Sequence, residues 1–330
     1  MELSLTPLLV ERFRGDAEAL MDAPGRLGIA VSGGPDSLAL LLLAVAAFPG
    51  EVEAATVDHR LRAQGAAEAA EVAALCERLG CPHSILAVDV AGGGEGAQGE
   101  ARRSRYDALR GWAEGRAIPV LATAHHVDDQ AETILMRLQR GAGVAGLSAI
   151  RPVRTEGAAL RVVRPLLGWT RDELARIVAD AGLAAADDPS NRDLRFDRVG
   201  VREFLAANPR FEPARLARSA AACREADEAL GWAAEQLAED RCTSQGGEWR
   251  IDPAGLPRAL RRRLLGHAVA AIREASSVGP AWQGGEDVEG LLATLEAGGA
   301  GTLAGVMAKG GPIWHLRLAP PRRQRGLAAS

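Results

Sequence analysis

The sequence predicts an α/β protein. Its larger part is a doubly wound, Rossmann-like parallel sheet, and its smaller C-terminal part is mainly helical. Three observations lead there. Short apolar runs alternate with helical patterns between Leu27 and Leu138. A glycine-rich turn, Ser32-Gly33-Gly34-Pro35-Asp36-Ser37, joins the first apolar run to the first strongly apolar helix. Beyond about residue 210, strand signals give way to long helical stretches.

Taken in order, Leu27-Gly28-Ile29-Ala30-Val31 reads as a buried parallel strand, and Leu38 to Ala47 as the helix after the turn. Glu51–Val57 is a second strand, and Ala66–Leu79 a helix stopped by Gly80. Ser84–Val90 is a third strand, followed by a loop that begins at Gly92-Gly93-Gly94. Gly99–Trp112 is a helix, Ile118–Ala122 a fourth strand and Asp128–Leu138 another helix. Such alternation requires right-handed crossovers and places helices on both faces of the sheet. The stretch from Gly141 to Gly168 is rich in Gly, Arg and Pro, with a short strand at Leu160–Arg164. Thr170-Arg171-Asp172-Glu173 fits a capping box, and Gly182 ends the helix it starts. A long helix runs from Pro213 to about Asp240, with an apolar stripe through Leu216, Ala220, Cys223, Ala226 and Leu230. Leu256–Ala275 is helical and basic, and Thr302–Val306 and Ile313–Leu316 flank Gly310-Gly311 as a hairpin. The domain boundary falls near 205–215, giving domains 1–210 and 211–330.

At 330 residues, with 47% hydrophobic and 25% charged residues, the chain is globular and long enough for two cores. A formal charge of −4 argues against a general nucleic-acid binder, so any RNA contact must come from local arginine stripes. Lys309 is the only lysine. Cys76, Cys81, Cys223 and Cys242 form no C-x-x-C pair, so neither a zinc site nor a redox dithiol is suggested. The acidic, amphipathic N-terminus is not a signal peptide, and no apolar run spans a bilayer. A cytoplasmic protein is expected.

The chemistry-bearing residues collect on one rim, at the carboxyl ends of the strands, where ligands of open α/β sheets sit. A glycine-rich strand-to-helix turn leaves backbone N–H groups free at a helix N-terminus, and that geometry binds phosphate. His125-His126-Val127-Asp128-Asp129-Gln130-Ala131-Glu132-Thr133 begins a helix on the same rim. Asp129 and Glu132 are spaced i,i+3 and share one face. Beside bound phosphates such a pair suits Mg²⁺, while Asp128 or Asp129 could equally serve as first-turn acids facing the helix dipole. His125 and His126 could offset charge on a phosphate or a leaving group. Arg102 and Arg105, with Tyr106, make a candidate patch for phosphate contact and base stacking.

The SGGPDS turn resembles the pyrophosphate loop of the N-type ATP pyrophosphatases. With VDHRLR at 57–62, ARRSRY at 101–106, ATAHHVDDQAET at 122–133, RGAGVAGL at 140–147, RPLL at 164–167 and DDPSN at 187–191, the chain is similar to the tRNA(Ile)-lysidine synthetases. That resemblance implies an enzyme that adenylates the wobble cytidine of a CAU-anticodon tRNA(Ile) with ATP and releases pyrophosphate. Lysine then attacks C2 to form lysidine and AMP. The codon read changes from AUG to AUA, and the amino acid from methionine to isoleucine.

The resemblance further implies that Ser32, Gly33, Gly34, Pro35, Asp36 and Ser37 hold the pyrophosphate, with Asp36 and Asp129 on Mg²⁺. His59 and Arg60 would lie on the adenine side. Asp36, Arg102, His125, Asp129 and Glu132 would be catalytic, with Asp129 and Glu132 taking either the metal or the incoming lysine. Arg105, Tyr106, Arg198 and Arg202 would meet substrate. Where family members show R-N-x-[IV]-R, this chain has Arg198-Val199-Gly200-Val201-Arg202 and lacks the asparagine. Arg258, Arg261, Arg262 and Arg263, and Arg322, Arg323 and Arg325, become tRNA backbone contacts on this reading. The second domain would clamp tRNA, form a homodimer, or both. Three rivals are weaker. A tRNA thiolase wants paired cysteines, an amidating ligase wants an ammonia source, and a regulatory ATP sensor has no use for paired acids beside the phosphates.

Overall fold

The computed structural model describes residues 5–22, 25–60, 63–88, 97–157, 160–184, 197–276 and 288–320. The glycine run at 92–94, the DDPSN segment at 187–191 and the arginines at 322, 323 and 325 lie outside the described residues. The chain divides into two compact units, Met1–Arg224 and Glu225–Ser330.

The first unit opens with α1 (Pro7–Glu18), β1 (Leu27–Ala30), α2 (Pro35–Ala47), β2 (Val52–Asp58), α3 (Ala63–Leu79) and β3 (His83–Ala87). It continues through α4 (Ala97–Gly115), β4 (Val120–Ala122), α5 (Val127–Gln139) and the single turn α6 (Val144–Leu147). Then come β5 (Val153–Glu156), β6 (Leu160–Val163), α7 (Arg171–Asp180), α8 (Asp197–Ala207) and the start of α9 (Pro213–Arg241). The strands form one sheet in the order β3-β2-β1-β4-β6-β5. All neighbours are parallel except the edge strand β5, which is antiparallel to β6. The strand order reverses between β1 and β4, and the crevice at their carboxyl ends is where this topology leaves room for a ligand.

Helix α2 is apolar on every side because it is buried on every side: Leu40, Leu41, Leu42 and Leu43 are fully covered. Phe13 of α1 and Leu174, Ile177 and Val178 of α7 share its core. The opposite face is covered by α4, whose Leu109 and Trp112 pack with Leu121 and Val162. Gly28 permits that approach, since a Cβ there would lie 3.0 Å from the Trp112 ring. The capping box at α7 is present as read. Thr170 accepts from the Glu173 N–H at 3.2 Å, and the Glu173 carboxylate accepts from the Thr170 N–H at 2.7 Å.

The second unit holds the rest of α9, then β7 (Cys242–Gln245), β8 (Glu248–Ile251), α10 (Arg258–Ala275) and α11 (Val288–Glu296). It closes with β9 (Ala300–Leu303), β10 (Val306–Lys309) and β11 (Trp314–Leu318), in an antiparallel sheet ordered β7-β8-β11-β10-β9. Ile251, Val306, Trp314 and Leu316 bury one face of it against Leu264, Leu265 and Val269 of α10 and Leu292 of α11. The expected hairpin is β10–β11 across Gly310-Gly311, but its first arm is Val306–Lys309 rather than Thr302–Val306. Ala304 and Gly305, at φ 49° and 81°, make a separate tight turn inside that stretch and release β9 as a further strand.

The arginines of α10 are committed within this unit. Arg258 and Arg262 pair with Glu289, Arg258 and Arg261 with Glu296, and Arg263 with the buried Asp227. The same run also joins α10 to α11 and α9, while Arg258 and Arg262 remain exposed. Among the described residues no helix is long and apolar enough to cross a membrane.

Candidate active site

The loop after β1 is held by its own side chains. Val31 still donates to the Ala55 carbonyl at 2.9 Å, continuing the strand. Gly33 then takes φ 84°, a left-handed conformation that costs other residues about 1 kcal/mol or more. Ser37 Oγ accepts from the Ser32 N–H at 3.1 Å and donates to the Gly34 carbonyl at 2.9 Å. Gly34 is the N-cap of α2 and carries no capping side chain, and Pro35 follows in its first turn. The first amides of α2 therefore face outward, as a phosphate site requires.

This loop forms one wall of a cavity of about 320 Å³. Ser32, Gly34, Asp36 and Ser37 stand on that wall, and Thr123, His125 and Asp129 on the wall built by the end of β4 and the start of α5. Arg102 and Arg105 from α4 and Arg198 from α8 supply positive charge. Ala30, Ala55, Val57 and Leu109 make an apolar floor. Tyr106 also borders the cavity but is buried in the α4 core, with the Arg102 and Arg154 guanidinium carbons 5.1 and 4.5 Å from its ring centroid. Arginines therefore occupy the ring that the sequence offered for base stacking. Gly33, Pro35, His59, Arg60, Glu132 and Arg202 are not on the cavity wall. His59 Nε2 accepts from Arg105 Nε at 3.4 Å, and Arg60 is exposed on a left-handed backbone, φ 53°.

The two histidines are opposites. His125 is pushed down to about 3 by burial first and then by the charges of Arg164, Arg102 and Arg198. That favours the neutral imidazole, whose Nδ1 lies 3.0 Å from Thr123 Oγ1 and can share a proton with it. His126 is fully buried, and burial opposes its charge. Hydrogen bonds with Asp128 and Asp36 and the charge of Asp129 outweigh that and raise it to about 9. Its Nε2 lies 3.4 Å from Asp36 and 3.6 Å from Asp129, and its Nδ1 3.3 Å from Asp128. A protonated ring cannot accept the Asp128 N–H, so the half of the capping box that survives is Asp129 accepting from the His126 N–H at 3.1 Å.

Asp129 and Glu132 do share a face of α5, and Arg198 bridges them, Nη2 to Asp129 at 3.1 Å and Nε to Glu132 at 2.7 Å. Glu132 is 1% exposed and also accepts from Arg171 at 3.0 Å and Arg202 at 2.9 Å. Burial would raise its pKa, but the Arg202 and Arg198 guanidinium groups hold it below the ordinary value. It is an anchor for three arginines. Sequence reading missed Arg171 and Thr123 as site residues, and it offered Asp128 only as a first-turn acid, which it is. The Arg171 N–H donates to Asp128 at 2.9 Å, a contact that only the docking of α7 beside α5 creates. For Arg171 the sole local signal was its place in the first turn of a capped helix. One carboxylate oxygen stands apart, since Asp36 Oδ1 is buried beside the loop without a hydrogen-bond partner. None of the four cysteines, all of them free, lines the cavity.

Residues 10–208 match a PP-loop domain family. The chain is 47% identical over 317 residues to a tRNA(Ile)-lysidine synthase of Novosphingobium aromaticivorans, covering 94% of each sequence. It is 42% identical over 333 residues to a tRNA(Ile)-lysidine synthase of Zymomonas mobilis, covering 98% of this chain and 99% of that one. Among solved structures, a U34-tRNA thiolase of Methanococcus maripaludis superposes with a TM-score of 0.54 at 16% identity, over 67% of this chain and 79% of its own. At that identity the likeness speaks for the fold.

Proposed function

We infer that this chain, which belongs to the PP-loop family and within it to the tRNA(Ile)-lysidine synthases, catalyses the ATP-dependent formation of lysidine on tRNA(Ile). The observation that carries the mechanism is the single cavity in which the phosphate loop, an acidic helix start and three arginines meet over an apolar floor. We assign the triphosphate to the loop amides and the Ser32 hydroxyl, with the Ser37 hydroxyl holding the loop in shape, and the adenine to the floor of Ala30, Ala55 and Val57.

Among the described residues no three His, Cys, Asp or Glu side chains are arranged as a metal cage. Mg²⁺ needs none, since it takes one or two carboxylates and completes its shell with water and phosphate oxygens. The buried, unpartnered Asp36 Oδ1 fits that demand, whereas Asp129 has both oxygens engaged. The ion would neutralise charge on the phosphates as pyrophosphate leaves.

The cytosine O2 attacks the α-phosphorus, the bond to pyrophosphate breaks, and the base carries AMP as a leaving group. We assign to Arg102, Arg105 and Arg198, which line the cavity, the negative charge that gathers on that phosphorus. The amine of lysine then forms a bond to C2, and the C2–O bond breaks to release AMP. Glu132 is closed off by three arginines, whereas Asp129 meets Arg198 alone among them, so we assign Asp129, once that guanidinium moves away, to the cationic amine and, after attack, to its proton.

Incubation with ATP, Mg²⁺, free lysine and a CAU-anticodon tRNA(Ile) transcript, read by nucleoside mass spectrometry, tests the reading. A new nucleoside that requires all three substrates is the expected result. Pyrophosphate release without it would point to another nucleophile or RNA.

A further inference from the structure

We propose that Arg198 is a built-in occupant of the lysine site, which makes nucleotide binding precede lysine binding. The proposal rests on the reading that Asp129 receives the substrate amine. Asp129 offers two oxygens. Oδ2 accepts from the His126 N–H at 3.1 Å, and Oδ1 accepts from Arg198 Nη2 at 3.1 Å. A lysine ammonium reaches this carboxylate only by displacing the guanidinium.

Arg198 is well placed to resist. Its Nε is held by Glu132 at 2.7 Å, so its charge is confined beside Asp129 by a second carboxylate. An intramolecular competitor acts at an effective concentration of about millimolar or more, which a free amino acid must exceed. Arg198 is also free to leave without stranding a buried charge, because Glu132 keeps Arg171 at 3.0 Å and Arg202 at 2.9 Å. Its alternative partner is prepared on the other side of the same cavity. A triphosphate seated on Ser32, Gly34 and Ser37 would present oxygens that match the guanidinium fork better than a single carboxylate oxygen does. Nucleotide binding then draws Nη2 from Asp129 to phosphate, and one motion both completes the phosphate site and opens the acid to lysine.

Calorimetric titration of L-lysine into the full chain tests this, with and without Mg²⁺ and the non-hydrolysable α,β-methylene-ATP. Wild type should bind lysine at least tenfold more tightly with the nucleotide analogue than without it. Arg198→Gln should bind lysine without nucleotide at least tenfold more tightly than wild type does, with nucleotide adding little. Asp129→Asn separates the two levels of the argument. If it loses lysine while Arg198→Gln gains nothing, Asp129 remains the lysine acid and the occupant role of Arg198 is overturned. If Asp129→Asn binds lysine as wild type does, the acid is elsewhere and the proposal falls with the reading beneath it. Equal lysine affinity in wild type with and without the analogue also overturns it.

Discussion

Replacing Glu132 with Gln tests whether this carboxylate is structural. The substitution keeps size and one carbonyl acceptor but removes the charge that three guanidinium groups share at 3.0, 2.7 and 2.9 Å. A hydrogen bond to a charged group contributes about 1 kcal/mol more than a neutral one, so three contacts lose about 3 kcal/mol. Breaking a fully buried pair would cost about 3–5 kcal/mol. Here Arg171, Arg198 and Arg202 remain 34%, 41% and 35% exposed and regain water, which brings the expectation to about 2–3 kcal/mol. In a unit of this size that is a fall in Tm of about 5–10 °C, measured by circular dichroism at pH 7.

The pH dependence has a definite sign. The folded-state pKa of Glu132 is depressed, so its contribution is present above the ordinary carboxylate range and is lost as pH falls through the depressed value. The gap between wild type and Glu132→Gln should close in acid. A gap below about 2 °C at pH 7, or one that widens in acid, would refute the assignment.

Three further outcomes are expected. Asp36→Asn should slow pyrophosphate release by about 100-fold or more in a Mg²⁺ titration, in line with the loss of one preorganised charge contact, and a change within threefold would sink the metal assignment. Ser37→Ala removes the hydroxyl that ties Ser32 to Gly34, and should lower stability by about 1 kcal/mol and raise the KM for ATP; an unchanged KM would separate this serine from phosphate binding. His126 has a raised folded-state pKa, so its stabilisation is complete below about pH 6.5 and is lost as pH rises through about 9. Wild-type Tm should fall across that window and His126→Gln should be flat; parallel curves would show that the ring is not charged in the fold.

The parts of the site that were legible in the sequence are the local ones. A strand, a glycine turn and a helix start are written within Leu27–Ala47, and the capping box within Thr170–Glu173, because their hydrogen bonds close over three to five residues. The i,i+3 pairing of Asp129 and Glu132 was legible for the same reason. What Glu132 does was not, since its partners arrive 39, 66 and 70 residues later. The Arg258–Arg263 run reads as a surface stripe until α11 places Glu289 and Glu296 against it. The short strand β8 alternates polar and apolar residues over only four positions, and β7 follows Cys242 with three polar residues, so neither stands out beside a 29-residue helix. The edge strand β5 mixes Val153 with charged Arg154 and Glu156, and it exists because β6 offers an open ladder.

The cavity draws its positive charge from arginine alone, and the one lysine of the chain, Lys309, lies on β10 of the other unit. An adenylated base is an electrophile that any neutral amine can capture, and an enzyme lysine beside it would be chemically the same kind of reagent as the substrate. A guanidinium stays protonated at every physiological pH and has no lone pair to offer. The arginines that steady the activated base are thus inert toward it, and no lysine side chain on their wall competes with the amine that arrives from solution.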